Sequence, residues 1–190
     1  MSHPESCKAC KKTFLKALQG KFGEVIEQWN SGWPCKIEDI LDSSEIKSSA
    51  TRLMNRIYSA LQDHRGHNNF VGRKTLPNCD YYVKSLNSLV EIDESQHFTA
   101  SRELTFSLYP KNIPIAFDKK EWISKCQILN RHDNHPPNRD ETRAWYDTLR
   151  DLFPPLFGMA PTIRLYAKDF KWCNASREDS REMIKQLIKK

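Results

Sequence analysis

The stretch Cys79-Asp80-Tyr81-Tyr82-Val83-Lys84-Ser85-Leu86-Asn87-Ser88-Leu89-Val90-Glu91-Ile92-Asp93-Glu94-Ser95-Gln96-His97-Phe98 decides how this chain is read. It alternates as two short strands joined by a turn at 85–88. Side chains on a strand point to opposite faces in turn, so Tyr81, Val83, Val90 and Ile92 share one apolar face. A hairpin centred between Leu86 and Asn87 sets Asp80 opposite Asp93 and Tyr82 opposite Glu91. Opposed residues share a face, with Cβ atoms about 5 Å apart. Three carboxylates, Asp80, Glu91 and Asp93, then converge on the side away from the apolar face. Clustered carboxylates repel unless a cation sits among them. A hard divalent ion with oxygen ligands answers that need, and Mg²⁺ or Mn²⁺ is the expected cofactor. His97 falls on the same face and is a candidate to orient or deprotonate a water. The plain alternative is an exposed acidic face on an edge hairpin.

The rest of the chain bounds this reading. Its 190 residues suffice for one sizeable domain, or one with an appendage. Thirty Lys and Arg against 24 Asp and Glu give a formal charge of +6. That balance admits a nucleic-acid partner without requiring one. A mean hydropathy of −0.71 fits a polar surface. No run approaches the ~20 apolar residues that span a bilayer, so no membrane partner is expected. The first residues lack an apolar signal segment, and the expected location is cytoplasmic. In that compartment the six cysteines read as thiols or metal ligands rather than disulfides.

Periodicity divides the chain further. Phe14, Leu18, Phe22, Val25 and Trp29 recur at helical spacing and predict an amphipathic helix over 11–30, broken by Gly32-Trp33-Pro34. Ser43 or Ser44 can cap a second helix reaching about Gln62, with Leu53, Ile57 and Leu61 on one stripe. A short strand is expected near Phe70-Val71 and another over 104–108. Helices are expected over 119–129 and 139–153, the latter ended by Pro154-Pro155, with a strand over 162–167. A final helix carries Met183, Ile184, Leu187 and Ile188. The order suggests an α/β fold with a mixed central sheet flanked by helices. It divides into a helical N-terminal extension over 1–40 and an α/β core over 41–190.

Cys7-Lys8-Ala9-Cys10 is half of a zinc knuckle. His3, Cys35, Cys79 and Cys173 are available to complete it, and His132 and His135 stand three apart. Two neighbouring thiols without metal are the alternative. The basic loop holding Arg65, Arg73 and Lys74 suits a phosphate groove, or is an ordinary solvated loop. Trp33, Trp122 and Trp172 lie near basic residues and could stack on bases, though packing is the commoner role for such rings.

Asp80, followed by Leu89-Val90-Glu91-Ile92-Asp93-Glu94-Ser95-Gln96-His97, resembles the PD-(D/E)xK nuclease superfamily, and within it the small endonucleases related to very-short-patch repair enzymes. Asp140-Glu141-Thr142-Arg143-Ala144-Trp145 resembles the Asp-x-x-Arg helix of that group, and Thr162-Ile163-Arg164-Leu165 the strand after it. The resemblance spans roughly residues 45 to 170, with a long insertion at about 99–137. It implies a restriction-endonuclease-like fold and metal-assisted hydrolysis of DNA phosphodiesters, with RNA open as a substrate. Asp80, Glu91 and Asp93 would hold the metal, His97 would serve the water, and Arg65, Arg73, Lys74 and Arg143 would contact nucleic acid. Three positions depart from the pattern. Asp93 replaces the superfamily's Lys, and Glu94 replaces the usual Gly. Met54 or Asn55 stands where a helix acid is common, Glu45 lying too early. Lys84, Arg102 and Arg143 are candidates for the missing lysine's role. Those departures keep two other functions open, a nucleic-acid-binding module without cleavage and a zinc-stabilised interaction domain.

Overall fold

The structure, a computed structural model, describes residues 4–169 and 171–188. Helix α1 (Lys8–Phe22) buries Phe14, Leu18 and Phe22, as the spacing predicts. It does not run to residue 30. Gly23, at φ 80°, ends it in a conformation that costs glycine little. Val25 and Ile26 then enter a strand, β1 (Val25–Trp29), which pairs antiparallel with β2 (Cys79–Val83). Val25 and Trp29 continue a helical spacing by coincidence; a β-branched pair just after a left-handed glycine extends instead. Residues expected to form a separate extension thus supply an edge strand of the sheet and one of its covering helices.

Two further helices follow, α2 (Ile37–Leu41) and α3 (Ser48–Arg65). Helix α3 starts after Lys47 without a side-chain cap, so neither Ser43 nor Ser44 caps it. Its Ile57 and Leu61 are buried as expected, beside Met54 and Tyr58. Phe70 forms no strand; it stacks on Tyr58 with ring centroids 4.5 Å apart.

The hairpin forms as predicted between β2 and β3 (Ser88–Asp93). Its register differs. A 3-10 turn over Lys84–Leu86 and Asn87 at φ 47° pair Val83 with Ser88, Tyr82 with Leu89 and Tyr81 with Val90. The turn therefore centres between Ser85 and Leu86, and Asp80 faces Glu91 rather than Asp93. A shift of two positions in pairing leaves every side chain on its predicted face.

The segment expected to be a strand over 104–108 is helix α4 (Ala100–Ser107). Thr99 caps it by accepting from the Arg102 N–H at 3.1 Å. Helix α5 (Lys119–Leu129) matches its prediction and is capped by Asp118. Helix α6 (Arg139–Leu156) passes through Pro154 and Pro155 into its last turn. Proline at 154 leaves the Arg150 carbonyl without its helical donor, and Thr162 Oγ1 donates to it instead. The connection α4–α5–α6 carries the chain to β4 (Ile163–Tyr166), which lies parallel to β3 with Glu91 paired to Arg164. Helix α7 (Arg177–Leu187) closes the chain behind a capping box between Ser176 and Asp179.

The sheet order is β1-β2-β3-β4, a mixed α/β arrangement. One face carries Tyr81, Val83, Val90 and Leu165 under α1 and α7, where Phe14, Leu18 and Ile184 meet them. The other carries Leu89 under α3, α4, α5 and α6, packed with Met54, Ile57, Phe106, Trp145 and Phe153. Both faces are covered, so the carboxylates of β3 lie inside the protein. No helix of the described residues is long and apolar enough to cross a membrane.

Candidate functional site

Asp80 and Glu91 face each other one step beyond the last ladder pair, where β2 and β3 begin to part. Their side chains replace the missing backbone partners. The Asp80 N–H donates to Glu91 Oε1 at 3.0 Å, and the Ile92 N–H donates to Asp80 Oδ2 at 2.9 Å. Each carboxylate is thereby fixed against the opposite strand, with its second oxygen directed elsewhere. Glu91 is 5% exposed, and burial pushes its carboxyl up to about 7, against the pull of Arg150. Its Oε2 lies 3.5 Å from Arg150 Nε, whose buried N–H has no hydrogen-bond partner among the described residues. Asp80 is half-buried, and among the described residues nothing hydrogen-bonds its Oδ1.

Asp93 takes a different role. Its Oδ1 accepts from Arg164 Nη1 and its Oδ2 from Trp122 Nε1, each at 2.7 Å. Arg164 also binds Asp151 Oδ1 at 2.7 Å and the Asp147 carbonyl at 2.9 Å. Arg102 holds the other oxygen of Asp151, joined by the Tyr109 hydroxyl at 2.8 Å. His97 meets Asp147 Oδ2 through Nδ1 at 2.8 Å and stands 3.7 Å from Asp93. The chain of charges Glu91–Arg150–Asp147–His97 therefore links the carboxylate pair to the histidine. Burial alone would lower the His97 imidazolium, but the Asp147 carboxylate outweighs it and raises the pKa above the usual value. Asp147 is driven the other way: burial opposes ionisation, yet His97 and Arg164 hold its carboxyl well below the usual range.

Two donor sets can be weighed for a divalent ion. Single ligand atoms of Asp93, His97 and Asp147 lie within 4.8 Å of one another. That set is already neutralised, since Arg164 and His97 compensate both acids. A cation there would sit against a guanidinium. The Asp80–Glu91 pair fits better: Asp80 Oδ1 accepts no hydrogen bond among the described residues, and Glu91 Oε2 is held only by the 3.5 Å ion pair with Arg150, against the 2.7–2.8 Å bonds that Arg164, Trp122 and His97 make to the other set. Asp93 can join them only by giving up both Arg164 and Trp122.

The basic candidates separate in the same way. Arg65 is bound bidentately by Glu141 and approaches Asp140 at 3.5 Å, so its charge is largely used within the protein. Arg143 donates to the Gln96 carbonyl at 2.7 Å and lines a cleft with Gln96, Arg131, His132 and Asp133. Arg73 and Lys74 are exposed. Of the candidates for the lysine role, Lys84 pairs with Glu24 at the surface and Arg102 is sequestered by Asp151. The cation that reaches Glu91 is Arg150, which sequence reasoning missed. Trp33, Trp122 and Trp172 are all buried, so none offers a face for a base.

The structure brings Cys173 to Cys7 and Cys10, with the three sulfurs within 4.8 Å of one another. Cys35 and Cys79 lie in the other core cluster, and His3 falls outside the described residues. His132 bonds Asp140 at 2.8 Å, while His135 is exposed, so the pair three apart does not converge on the cysteines.

Asp147, Arg150, Asp151 and Arg164 are the residues sequence reading passed over. Their signal is present: Asp147, Arg150 and Asp151 recur at three- and four-residue spacing on the face of α6 that also carries Ala144 and Thr148. Arg164 interrupts an apolar strand at an inward position. No protein-family model, curated protein or solved structure matches the chain.

Proposed function

We propose that the chain is a divalent-metal-dependent endonuclease acting on phosphodiester bonds of DNA, with Asp80 and Glu91 as the residues that hold Mg²⁺ or Mn²⁺. The observation that carries this reading is the Asp80–Glu91 pair itself. Two carboxylates face each other where their strands separate, each anchored by one oxygen to the opposite backbone, with the second oxygen of Glu91 held only by a 3.5 Å ion pair with Arg150. A mixed sheet covered by helices on both faces agrees with what the resemblance implies. The bound ion supplies a lowered pKa for a coordinated water and a counter-charge for the scissile phosphate.

The chain's own residues do the rest. Arg150, 3.5 Å from Glu91, keeps a positive charge beside the pair and is the residue placed to offset charge gathering on phosphate oxygens. Asp147 accepts from His97 Nδ1, which fixes the imidazole tautomer and leaves Nε2 as the nitrogen that exchanges a proton. Asp93 acts through Arg164, positioning β3 against β4 and α6. Exposed Arg73 and Lys74 supply sequence-independent phosphate contacts.

The test is cleavage of supercoiled plasmid by purified protein in Mg²⁺ or Mn²⁺. Asp80→Asn and Glu91→Gln should each lower the rate by about two orders of magnitude or more while DNA binding survives. Equal cutting by wild type and both variants would remove the reading. A second reading, binding without cleavage, is favoured by the engagement of Asp93 with Arg164 and Trp122. Salt-sensitive DNA binding with no cutting in either metal would select it.

A further inference from the structure

We propose that Cys7, Cys10 and Cys173 form a zinc site that fastens the start of α1 to the segment ahead of α7. The three sulfurs lie within 4.8 Å of one another, although Cys173 is far from the knuckle in sequence. Cys7 is the residue before the first turn of α1, Cys10 sits inside that turn, and Cys173 lies in a 3-10 turn over Trp172–Asn174. None of the three is in a disulfide. A C-x-x-C at a helix start with a third cysteine arriving from a distant turn gives three soft ligands on one side of a centre.

Backbone amides surround two of the three sulfurs. Backbone N–H groups of Ala9 and Cys10 are directed to the Cys7 sulfur, and those of Trp172 and Cys173 to the Cys10 sulfur. Such donors orient metal-bound sulfur and spread its charge. On binding, each thiol releases its proton to solvent, so three thiolates and one Zn²⁺ leave one negative charge. Lys8 and Lys12 lie in the first two turns of α1, beside the knuckle in sequence, while Lys11 pairs with Glu94. Thiolate sulfur selects zinc over magnesium, so this centre and the carboxylate pair do not compete for one ion. Cys7 and Cys173 are only half-buried, which leaves the fourth position facing water.

The consequence is structural. Phe14 of α1 packs edge-on against Trp172 at 5.1 Å, and α1 and α7 together cover one face of the sheet. A metal at the three cysteines ties the two ends of that layer to each other. The site stands independently of the proposed cleavage activity.

Metal analysis of the full chain, purified without chelator, should find about one zinc per chain. Replacing it with Co²⁺ should give a sulfur-to-cobalt charge-transfer band, which Cys173→Ser should reduce by about a third, one thiolate of three. Cys35→Ser, altering a cysteine of the other core cluster, should leave band and metal content unchanged. Chelation should lower the melting temperature and change the fluorescence of Trp172, a change that Trp172→Phe removes. Wild-type protein that carries no zinc and gives no thiolate band with Co²⁺ overturns the proposal. So does a disulfide among the three cysteines in protein alkylated under native conditions. A Cys173→Ser band equal to wild type would remove Cys173 from the site.

Discussion

Arg164 Nη1 lies 2.7 Å from Asp93 Oδ1, and both side chains are buried between the sheet and α6. The same guanidinium reaches Asp151 and the Asp147 carbonyl, so one residue of β4 ties together β3 and α6. Arginine suits this place because its planar fork satisfies several acceptors at once and stays charged.

Removing Arg164 should therefore be far worse than removing a surface charge. Arg164→Ala takes the bound guanidinium from buried Asp93, leaving it the Trp122 N–H, and removes one of the two that hold Asp151; loss of one partner of a buried pair costs about 3–5 kcal/mol. Urea unfolding measures it directly. Arg164→Lys should recover little, since a single ammonium cannot reach the same acceptors. A loss below about 1 kcal/mol would mean the network is solvated and this description of it wrong.

Glu91 sets a pH dependence in metal-free protein. Its carboxyl titrates at about 7 in the fold against 4.5 as the ordinary value. The folded state holds the proton longer, so this contribution is full below pH 4.5 and is lost as pH rises through 7. The shift corresponds to ~3 kcal/mol across that window. Glu91→Gln, neutral throughout, should flatten the slope of stability between pH 5 and 7. An unchanged slope would place the titration elsewhere.

His97 adds a second window in the same direction. Its pKa is raised above 6.5, chiefly because the Asp147 carboxylate overcomes the effect of burial. Its stabilisation is complete below 6.5 and disappears as pH climbs through the folded value. NMR titration of the imidazole should show a midpoint above 6.5 that falls in Asp147→Asn. A wild-type midpoint at or below 6.5 contradicts the pairing.

The basic residues should divide by experiment as they do in space. Arg73→Ala with Lys74→Ala should weaken DNA binding across sequences and reduce the salt slope by about 2, one per lost contact. Their effect on stability should be within about 0.5 kcal/mol, as both are exposed. Arg65→Ala should instead destabilise the fold, because buried Glu141 loses its partner. Equal salt slopes in wild type and the double variant would exclude Arg73 and Lys74 from the interface.

Much of the fold and of the site is legible in the sequence. Alternation in Tyr81, Val83, Val90 and Ile92 identifies the hairpin and its apolar face, and parity alone puts Asp80, Glu91 and Asp93 together. The exact partner was not legible, because a four-residue turn with Asn87 in a left-handed conformation sets it. Strand β1 hides because Val25 and Trp29 fall on the helical period of α1. Helix α4 hides because Leu104-Thr105-Phe106-Ser107-Leu108 alternates like a strand, while Arg102 turns inward to Asp151 and Thr148 and Thr105 is buried against Arg102. The burial of the acids is a tertiary fact: nothing local to β3 announces that α6 will lay Asp147, Arg150 and Asp151 over it. Cys173 is hidden for the same reason, being brought to the knuckle only by the packing of α1 against the chain ahead of α7.

The proposed cleavage requires Asp80 and Glu91, rather than Asp93, His97 and Asp147, to hold the divalent ion. Anomalous scattering from crystals soaked in Mn²⁺ tests it most directly. The expected result is a peak in contact with both Asp80 and Glu91 that vanishes in Asp80→Asn, with Asp93 still bound to Arg164. A peak among Asp93, His97 and Asp147, or no peak at either place, would contradict it.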